Sequence, residues 1–149
     1  LDYLWYGIGA YLARNPHYRY LFGPVTLSNS FPPYAMALLV HYYTLHYPAN
    51  SDYATAKRPY QIDAEHQTLC QQLLPGSDAR EEFVTLKEQL SQMQMAVPTL
   101  YKQYTDLCEP GGIEFAAFSV DPYFGDCVDG LIVVDLEKLK ANKRTRYIG

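Results

Sequence analysis

The chain has 149 residues, of which 48% are hydrophobic and 19% are charged, a composition typical of a globular protein and not of a disordered or fibrous one. Its formal net charge of −4 argues against a nucleic-acid-binding protein, which normally carries a basic excess. Three widely spaced cysteines with no C-x-x-C pair favour neither a disulfide framework nor a zinc site, and no apolar run is long enough for a membrane span.

The first predicted element is an amphipathic helix. Apolar residues recur at helical spacing from Leu1 to about Ala13, and Asn15-Pro16 ends the pattern. No capping residue or turn precedes this helix. We therefore expect the true beginning of the domain to lie upstream of Leu1.

A strand and a second helix follow. Residues Tyr18 to Ser28 are rich in aromatic and branched side chains, which predicts a strand, and Gly23-Pro24 within it predicts a bulge or a splay from the neighbouring strand. Pro32-Pro33 then opens a helix that extends to about His46, since proline is well tolerated in a first turn.

The rest of the chain predicts a helical section followed by two strands. The helices are expected at Ala64–Leu74, from a capping box at Asp78 and Glu81 to about Met95, and from Pro98 to Cys108, and the strands at Ile113–Val120 and Val128–Leu136. The uniformly apolar run Leu131–Val134 favours a central position in the sheet. We interpret residues 1–149 as one α/β domain with a helical insertion at about 60–97.

The familiar catalytic motifs are absent. The sequence has no P-loop, G-x-S-x-G, H-E-x-x-H or G-x-G-x-x-G, which disfavours the corresponding kinases, hydrolases, zinc enzymes and dehydrogenases. Asp121, Asp126 and Asp129 lack the spacing of a calcium loop. Asp121 before Pro122 is better explained as a turn residue, so no metal site is predicted.

One segment is a candidate site by its position. Ser28-Asn29-Ser30 lies between the end of a strand and the start of a helix, where ligands gather in open α/β sheets and where unpaired helix amides are available to anions. We predict that Ser28, Asn29 and Ser30 bind substrate. Histidine is the side chain that works near neutral pH, so His41 or His46 on the following helix is a further candidate, although a surface role is the favoured interpretation for either residue taken alone.

Five bases and no acid occur between Lys138 and Arg146. Such a segment suits contact with an acidic protein or an anionic lipid surface. A solvated tail without a partner is the alternative interpretation.

Several segments in fixed order resemble a bacterial family of hemolysin-like proteins. They are Leu4-Trp5-Tyr6-Gly7-Ile8, Tyr18 to Val25, Ser28-Asn29, Val120-Asp121-Pro122, Asp129-Gly130-Leu131 and Arg146-Tyr147-Ile148-Gly149. This family is similar to ornithine acyl-carrier-protein N-acyltransferases, which have a GNAT-like acyltransferase fold. The resemblance covers both ends of the chain well and the residues from about Ala49 to Met95 poorly.

The resemblance implies a fold and a gap in it. The first helix would follow the central GNAT strand, and Tyr18 to Ser28 would be the next strand, splayed to admit the thioester arm of the acyl donor. The central strand and its pyrophosphate-binding turn would precede Leu1. Part of the active site is therefore expected to be missing from these 149 residues.

The resemblance also implies a reaction. A long acyl chain would pass from acyl carrier protein, or from coenzyme A, to the α-amine of an amino acid such as ornithine, with no permanently bound cofactor. Tyr34, His41 and Tyr42 are the candidates for proton transfer, because a tyrosine on this helix protonates the leaving thiolate in many GNAT enzymes. The alternative function is a non-catalytic, membrane-associated hemolysin.

Partners and location follow from the same resemblance. Acyl carrier proteins are acidic, so the basic segment from Lys138 to Arg146 would contact the carrier protein or, peripherally, a membrane. We expect a cytoplasmic protein that binds no nucleic acid, with the inner face of the membrane as a second location.

Overall fold

The computed structural model describes residues 1–149. It has six α-helices and three β-strands in the order α1 (Asp2–Arg14), β1 (Tyr20–Leu27), α2 (Pro33–His46), α3 (Ala64–Leu73), α4 (Ala79–Gln92), α5 (Thr99–Thr105), β2 (Ile113–Asp121), β3 (Cys127–Asp135) and α6 (Ala141–Tyr147). The fold is mixed α/β and compatible with the expected GNAT-like acyltransferase fold. The predicted elements are confirmed to within about three residues at each boundary, and α6 was not predicted.

The sheet has the strand order β1-β3-β2, and both pairs are antiparallel. β3 is the central strand, as its apolar run Leu131–Val134 predicted. Tyr20 of β1 lies opposite Asp135 of β3, and the only register shift falls in β2 between Phe115 and Ala117. β1 therefore has one edge paired with β3 and one edge without a neighbouring strand.

The bulge or splay predicted at Gly23-Pro24 is absent from the pairing between β1 and β3. The pairing with β3 continues through both residues without a shift. The backbone nitrogen of Leu136 donates to the carbonyl of Arg19 at 2.7 Å, and the alternation of an antiparallel ladder then turns the nitrogen of Pro24 away from β3. The missing N–H of proline thus falls at the free edge, where it removes no bond.

The hydrophobic core lies on one face of the sheet, which we call the covered face. α2 provides much of it, because residues 35–40 are all buried, as are Tyr42 and Tyr43. The rings of Tyr101 and Phe115 stack at 5.3 Å between centroids, and Phe115 stacks on Phe118 at 5.4 Å. The Tyr101 hydroxyl donates to the carbonyl of Val25 at 2.7 Å, which ties this aromatic cluster to β1.

Gly130 of β3 makes room for these aromatic rings. A Cβ atom at this position would lie 2.7 Å from the Phe118 ring and 2.9 Å from the Tyr101 hydroxyl. Any larger residue would push the rings off the sheet, so the close packing of the covered face depends on this glycine.

The first and last helices are in direct backbone contact. A Cβ atom at Gly9 of α1 would overlap the carbonyl of Tyr147 at the end of α6. The Trp5 and Tyr147 rings are 6.2 Å apart, and the Arg146 guanidinium lies 3.7 Å from the Asp2 carboxylate. Glycine at position 9 therefore allows α6 to dock on α1.

A buried hydrogen bond between a histidine and a glutamate joins α2 to α4. Glu82 is 3% exposed and accepts hydrogen bonds from the His46 ring at 3.0 Å and from the backbone nitrogens of Gly76 and Ser77. Burial opposes ionisation of Glu82, but these donors outweigh it and lower the pKa of Glu82 below its ordinary value. The carboxylate fixes the linker between α3 and α4.

Candidate functional site

The segment after β1 is held by its own polar side chains. The Ser28 and Ser30 hydroxyls are 2.9 Å apart, and the Ser30 backbone nitrogen donates to the Ser28 hydroxyl at 3.2 Å. The Asn29 amide donates to the carbonyl of Gly125 in the turn between β2 and β3. All three predicted binding residues are exposed, and Asn29 joins the end of β1 to that turn. We call this region the strand end.

Helix α2 begins at the strand end without a side-chain cap. Pro32 and Pro33 occupy its start, and no side chain accepts from its first turn. Ala35 is fully buried, but Tyr34 is partly exposed and its backbone nitrogen has no carbonyl four residues earlier within the helix. This nitrogen leaves the positive end of the helix dipole available to an anion or a developing oxyanion.

Tyr34 lies beside a carboxylate–imidazole pair. The centroids of the Tyr34 and His66 rings are 5.4 Å apart. The His66 Nδ1 lies 2.9 Å from Asp63 Oδ2, while Asp63 Oδ1 accepts from the His66 backbone nitrogen at 2.9 Å and caps α3. This pairing leaves Nε2 of His66 as the nitrogen that can exchange a proton with a ligand.

His66 was not among the residues predicted from the sequence, because a surface role is the usual outcome for a histidine considered alone. The signal that was available is the spacing Asp63-x-x-His66 at a helix start, because an N-cap carboxylate and the side chain three residues later face each other.

Burial raises the pKa of Tyr34, so its phenol keeps its proton at neutral pH.

The other two candidates for proton transfer lie on the side of α2 that faces the linker between α3 and α4. The His41 Nε2 is 2.8 Å from the carbonyl of Leu74, and the Tyr42 hydroxyl donates to the carbonyl of Ala79 at 3.1 Å. Tyr42 is 3% exposed, and burial raises its pKa far above its ordinary value. Of the three predicted residues, Tyr34 alone contacts the Asp63–His66 pair.

A second feature of the molecule was not predicted at all. The face of the sheet opposite the core, which we call the open face, is crossed by residues 48–60, a segment we call the strap. The strap is joined to β2 at both ends, because Phe115 donates its backbone N–H to the carbonyl of Tyr47 and Val120 donates to that of Arg58, each at 2.8 Å.

The middle of the strap is fastened by one carboxylate. Glu114 of β2 accepts from the Tyr53 hydroxyl at 2.6 Å and from the Asn50 backbone nitrogen at 3.1 Å. Between the strap and the sheet lies a cavity of about 620 Å³, whose floor includes Phe22, Leu131 and Val133. A volume of this size is within the range of small-molecule sites.

A smaller, more polar pocket continues this cavity toward the strand end. It has a volume of about 390 Å³, shares Ala54 and Leu131 with the cavity, and is lined by charged residues that include Lys57, Arg58 and Asp129. The two compartments together form a groove along the open face, and we call them the tail cavity and the head pocket.

The basic segment near the end of the chain is mostly engaged within the protein. Lys140 and Lys143 both contact the carboxylate of Asp106 at 2.8 Å, and the Arg144 guanidinium donates to a backbone carbonyl of the same chain. The hydrogen bonds from both lysines lower the pKa of Asp106. These contacts anchor α6 and leave less of its positive charge for a partner.

No helix in the structure is both long and apolar enough to cross a bilayer. The three cysteines are all buried as free thiols.

Comparisons with known proteins support a relationship with acyltransferases. The chain is 22% identical over 148 residues to a glycine N(alpha)-acyltransferase of Phocaeicola vulgatus, and 22% identical over 148 residues to another of Bacteroides thetaiotaomicron. Each match covers 99% of this chain but only 44% and 43% of the relative. The chain therefore spans less than half the length of these relatives. No known family profile and no solved structure matches it.

Proposed function

We propose that the protein is an N-acyltransferase that moves a long acyl chain from a thioester of acyl carrier protein or coenzyme A to the α-amine of an amino acid. The similarity to two N-acyltransferases along 99% of the chain carries this proposal. Their names favour glycine as the acceptor. The sequence resemblance described above favours ornithine, so both acceptors belong in the test.

The reaction needs three catalytic groups from the protein: a base, an oxyanion donor and an acid. The amine nitrogen attacks the thioester carbonyl carbon, the C–N bond forms, and the C–S bond then breaks to release a thiolate. A base must take one proton from the amine, a donor must stabilise the tetrahedral oxyanion, and an acid must protonate the thiolate. The α-amine must also lose its extra proton before it can attack.

Residues at and beside the strand end are candidates for each of these three catalytic roles. Nε2 of His66, oriented through Nδ1 by Asp63, is the proposed base. The phenol of Tyr34 beside it is the proposed acid for the thiolate, and the uncapped backbone amide of Tyr34 at the start of α2 is the proposed oxyanion donor. Ser28, Asn29 and Ser30 would border the acceptor. Tyr34 is preferred over His41 and Tyr42 because the latter two donate to or contact carbonyls of neighbouring segments.

The test is a transfer assay on the protein in its full natural length. Acyl carrier protein or coenzyme A thioesters with a 16-carbon chain are incubated with glycine or with ornithine, and N-acyl products are identified by mass spectrometry. The proposal requires an N-acyl amino acid and a free thiol in equal amounts. Failure to acylate either amino acid or any other amine would overturn it.

Variants then test the assigned residues. His66→Gln is expected to lower kcat/KM by about 10²–10⁴, the usual contribution of a positioned base, and Tyr34→Phe is expected to lower kcat with little change in KM. His17→Gln, an exposed histidine outside the strand end, is the matched control. If His66→Gln and His17→Gln have equal activity, the base has been assigned to the wrong residue.

A further inference from the structure

The open face of the sheet carries apolar side chains that have no role in the core. Phe22 is 78% exposed and Tyr20 is 52% exposed, while Leu131 and Val133 beside them are only partly covered by the strap. A monomer normally gains nothing from leaving large apolar side chains in a concave, half-roofed groove. The floor of the tail cavity is therefore suited to an aliphatic ligand.

The length of the groove suits an extended chain. From Asp129 at the head pocket to Asp135 at the far end of the tail cavity, β3 extends for about 20 Å at the usual rise of a strand. The tail cavity is partly roofed by Asn50, Ser51, Tyr53 and Ala54, and its extension along one strand fits a linear chain better than a compact ring system.

The charges differ between the two ends of the groove. In the tail cavity, Arg19 is neutralised by the carboxylates of Asp135 at 3.1 Å and Glu137 at 3.2 Å. Lys138 also lines this cavity without an ion pair, and its ammonium donates to the carbonyl of Gly111 at 3.4 Å. In the head pocket, Lys57 and Arg58 are exposed, and neither forms an ion pair within the chain. The carboxylates of Asp121 and Asp129 also line the head pocket and form no ion pair, so charges of both signs lie beside an apolar cavity. This arrangement complements the carboxylate and the ammonium group of an amino acid.

We propose that the groove under the strap binds an N-acyl amino acid, with its aliphatic chain in the tail cavity and its carboxylate at Arg58 and Lys57 in the head pocket. The proposal rests on the function proposed above, because it assigns the product of that reaction to a place on this chain. The same carboxylate is present on the acceptor amino acid before transfer, and the carboxylate of Asp129 beside it would face the ammonium group. Phe22, Leu131 and Val133 thereby become determinants of chain length.

The strap controls entry to this site. Its ends are bonded to β2, but its middle is fastened to the sheet only through Glu114. Opening the bonds of Glu114 to Tyr53 and Asn50 would free the part of the strap over the tail cavity while the ends stay in place. A long chain can then enter from the side instead of being threaded from one end.

The experiment measures binding by this chain, without any reaction. N-palmitoylglycine, its methyl ester, palmitate and glycine compete with a fluorescent fatty acid. We expect N-palmitoylglycine to bind about tenfold more tightly than its methyl ester, which lacks the carboxylate, and glycine alone to compete weakly. Palmitate separates a general fatty-acid site, in which it binds as well as N-palmitoylglycine, from the acyl amino acid site proposed here. Equal affinity for N-palmitoylglycine and its methyl ester, or for N-palmitoylglycine and palmitate, would overturn the proposal.

Variants locate the ligand. Arg58→Gln is expected to remove the tenfold preference for the free carboxylate, while Arg80→Gln, a matched change on α4 in the helical layer, leaves it intact. Val133→Trp fills the tail cavity and is expected to weaken a 16-carbon ligand about tenfold more than an 8-carbon one. Phe22→Ser, at an exposed position that does not threaten folding, should weaken both.

The outcomes separate this site from the proposed function. Binding that is unaffected by Val133→Trp, Phe22→Ser and Arg58→Gln overturns the groove even if the enzyme transfers acyl chains. Binding with the expected variant effects, in a protein that makes no N-acyl product, retains the groove and overturns the acyltransferase.

Discussion

The two faces of the sheet are built from similar residues and used in different ways. On the covered face, Phe115 is 4% exposed and stacks between Tyr101 and Phe118. On the open face, Phe22 is 78% exposed and forms part of the floor of the tail cavity. The difference shows that the fold is stabilised mainly by one face, which leaves the other face able to hold a groove without loss of stability.

The largest expected difference in the free energy of unfolding is between the alanine variants of the two phenylalanines. Phe115→Ala should lower the free energy of unfolding by about 3–5 kcal/mol, because it removes a ring from the centre of the core and leaves a void. Phe22→Ala should lower it by less than about 1 kcal/mol, because its ring is already in water. Urea denaturation followed by circular dichroism measures both. Similar losses for the two variants would show that the open face contributes to the core.

The next largest expected difference in the free energy of unfolding is between the glutamine variants of two glutamates. Glu82→Gln in the helical layer should cost about 1.5–3 kcal/mol at neutral pH, because a buried carboxylate that receives several hydrogen bonds is lost. Glu114→Gln on the open face keeps an acceptor for Tyr53 and should cost less than 1 kcal/mol.

The two glutamate variants should also differ in how the free energy of unfolding depends on pH. The pKa of Glu82 is lowered in the folded protein, so its stabilisation is complete above the ordinary glutamate pKa of about 4.3 and is lost as the pH falls through the lower folded value. The free energy of unfolding should therefore decrease below about pH 4.3, and less steeply in Glu82→Gln. An unchanged acid profile in that variant would contradict this account.

The smallest effect tests where the packing of the covered face ends. Gly130→Ala inserts a methyl group against three aromatic rings and should destabilise the protein by about 1–3 kcal/mol. Gly23→Ala on β1 meets no atom within 4 Å and should be neutral or stabilising by up to about 1 kcal/mol. Thermal unfolding distinguishes them. A destabilised Gly23→Ala would mean that the free edge of β1 is packed more closely than the structure shows.

Local signals predicted much of the fold. The Asp78 and Glu81 spacing predicted the start of α4, and the Asp78 carboxylate indeed accepts from the Glu81 backbone nitrogen at 2.9 Å. The apolar run of Leu131–Val134 predicted the central strand. Caps and hydrophobic runs act between neighbours in sequence, so they can be interpreted without a structure.

The candidate site depends on contacts between residues that are distant in the sequence, which caps and hydrophobic runs do not predict. Tyr34 and His66 are 32 positions apart and meet only because α3 folds back against the start of α2. The strap was not predicted, because nothing in residues 48–60 indicates that Glu114 of a distant strand will hold it over the sheet. The error at Gly23-Pro24 has a similar cause, since the effect of a proline depends on which edge of the strand its nitrogen faces.

The docking of α6 on α1 has a consequence for the order of folding. The contact between Gly9 and Tyr147 closes almost the whole chain into a loop, and contacts of such sequence separation form late because the entropy of closing the loop must be overcome first. α6 has seven residues, too few to be a stable helix by itself in water. Its helicity therefore depends on a completed partner, and we expect α6 to be the last helix to form and the first to fray.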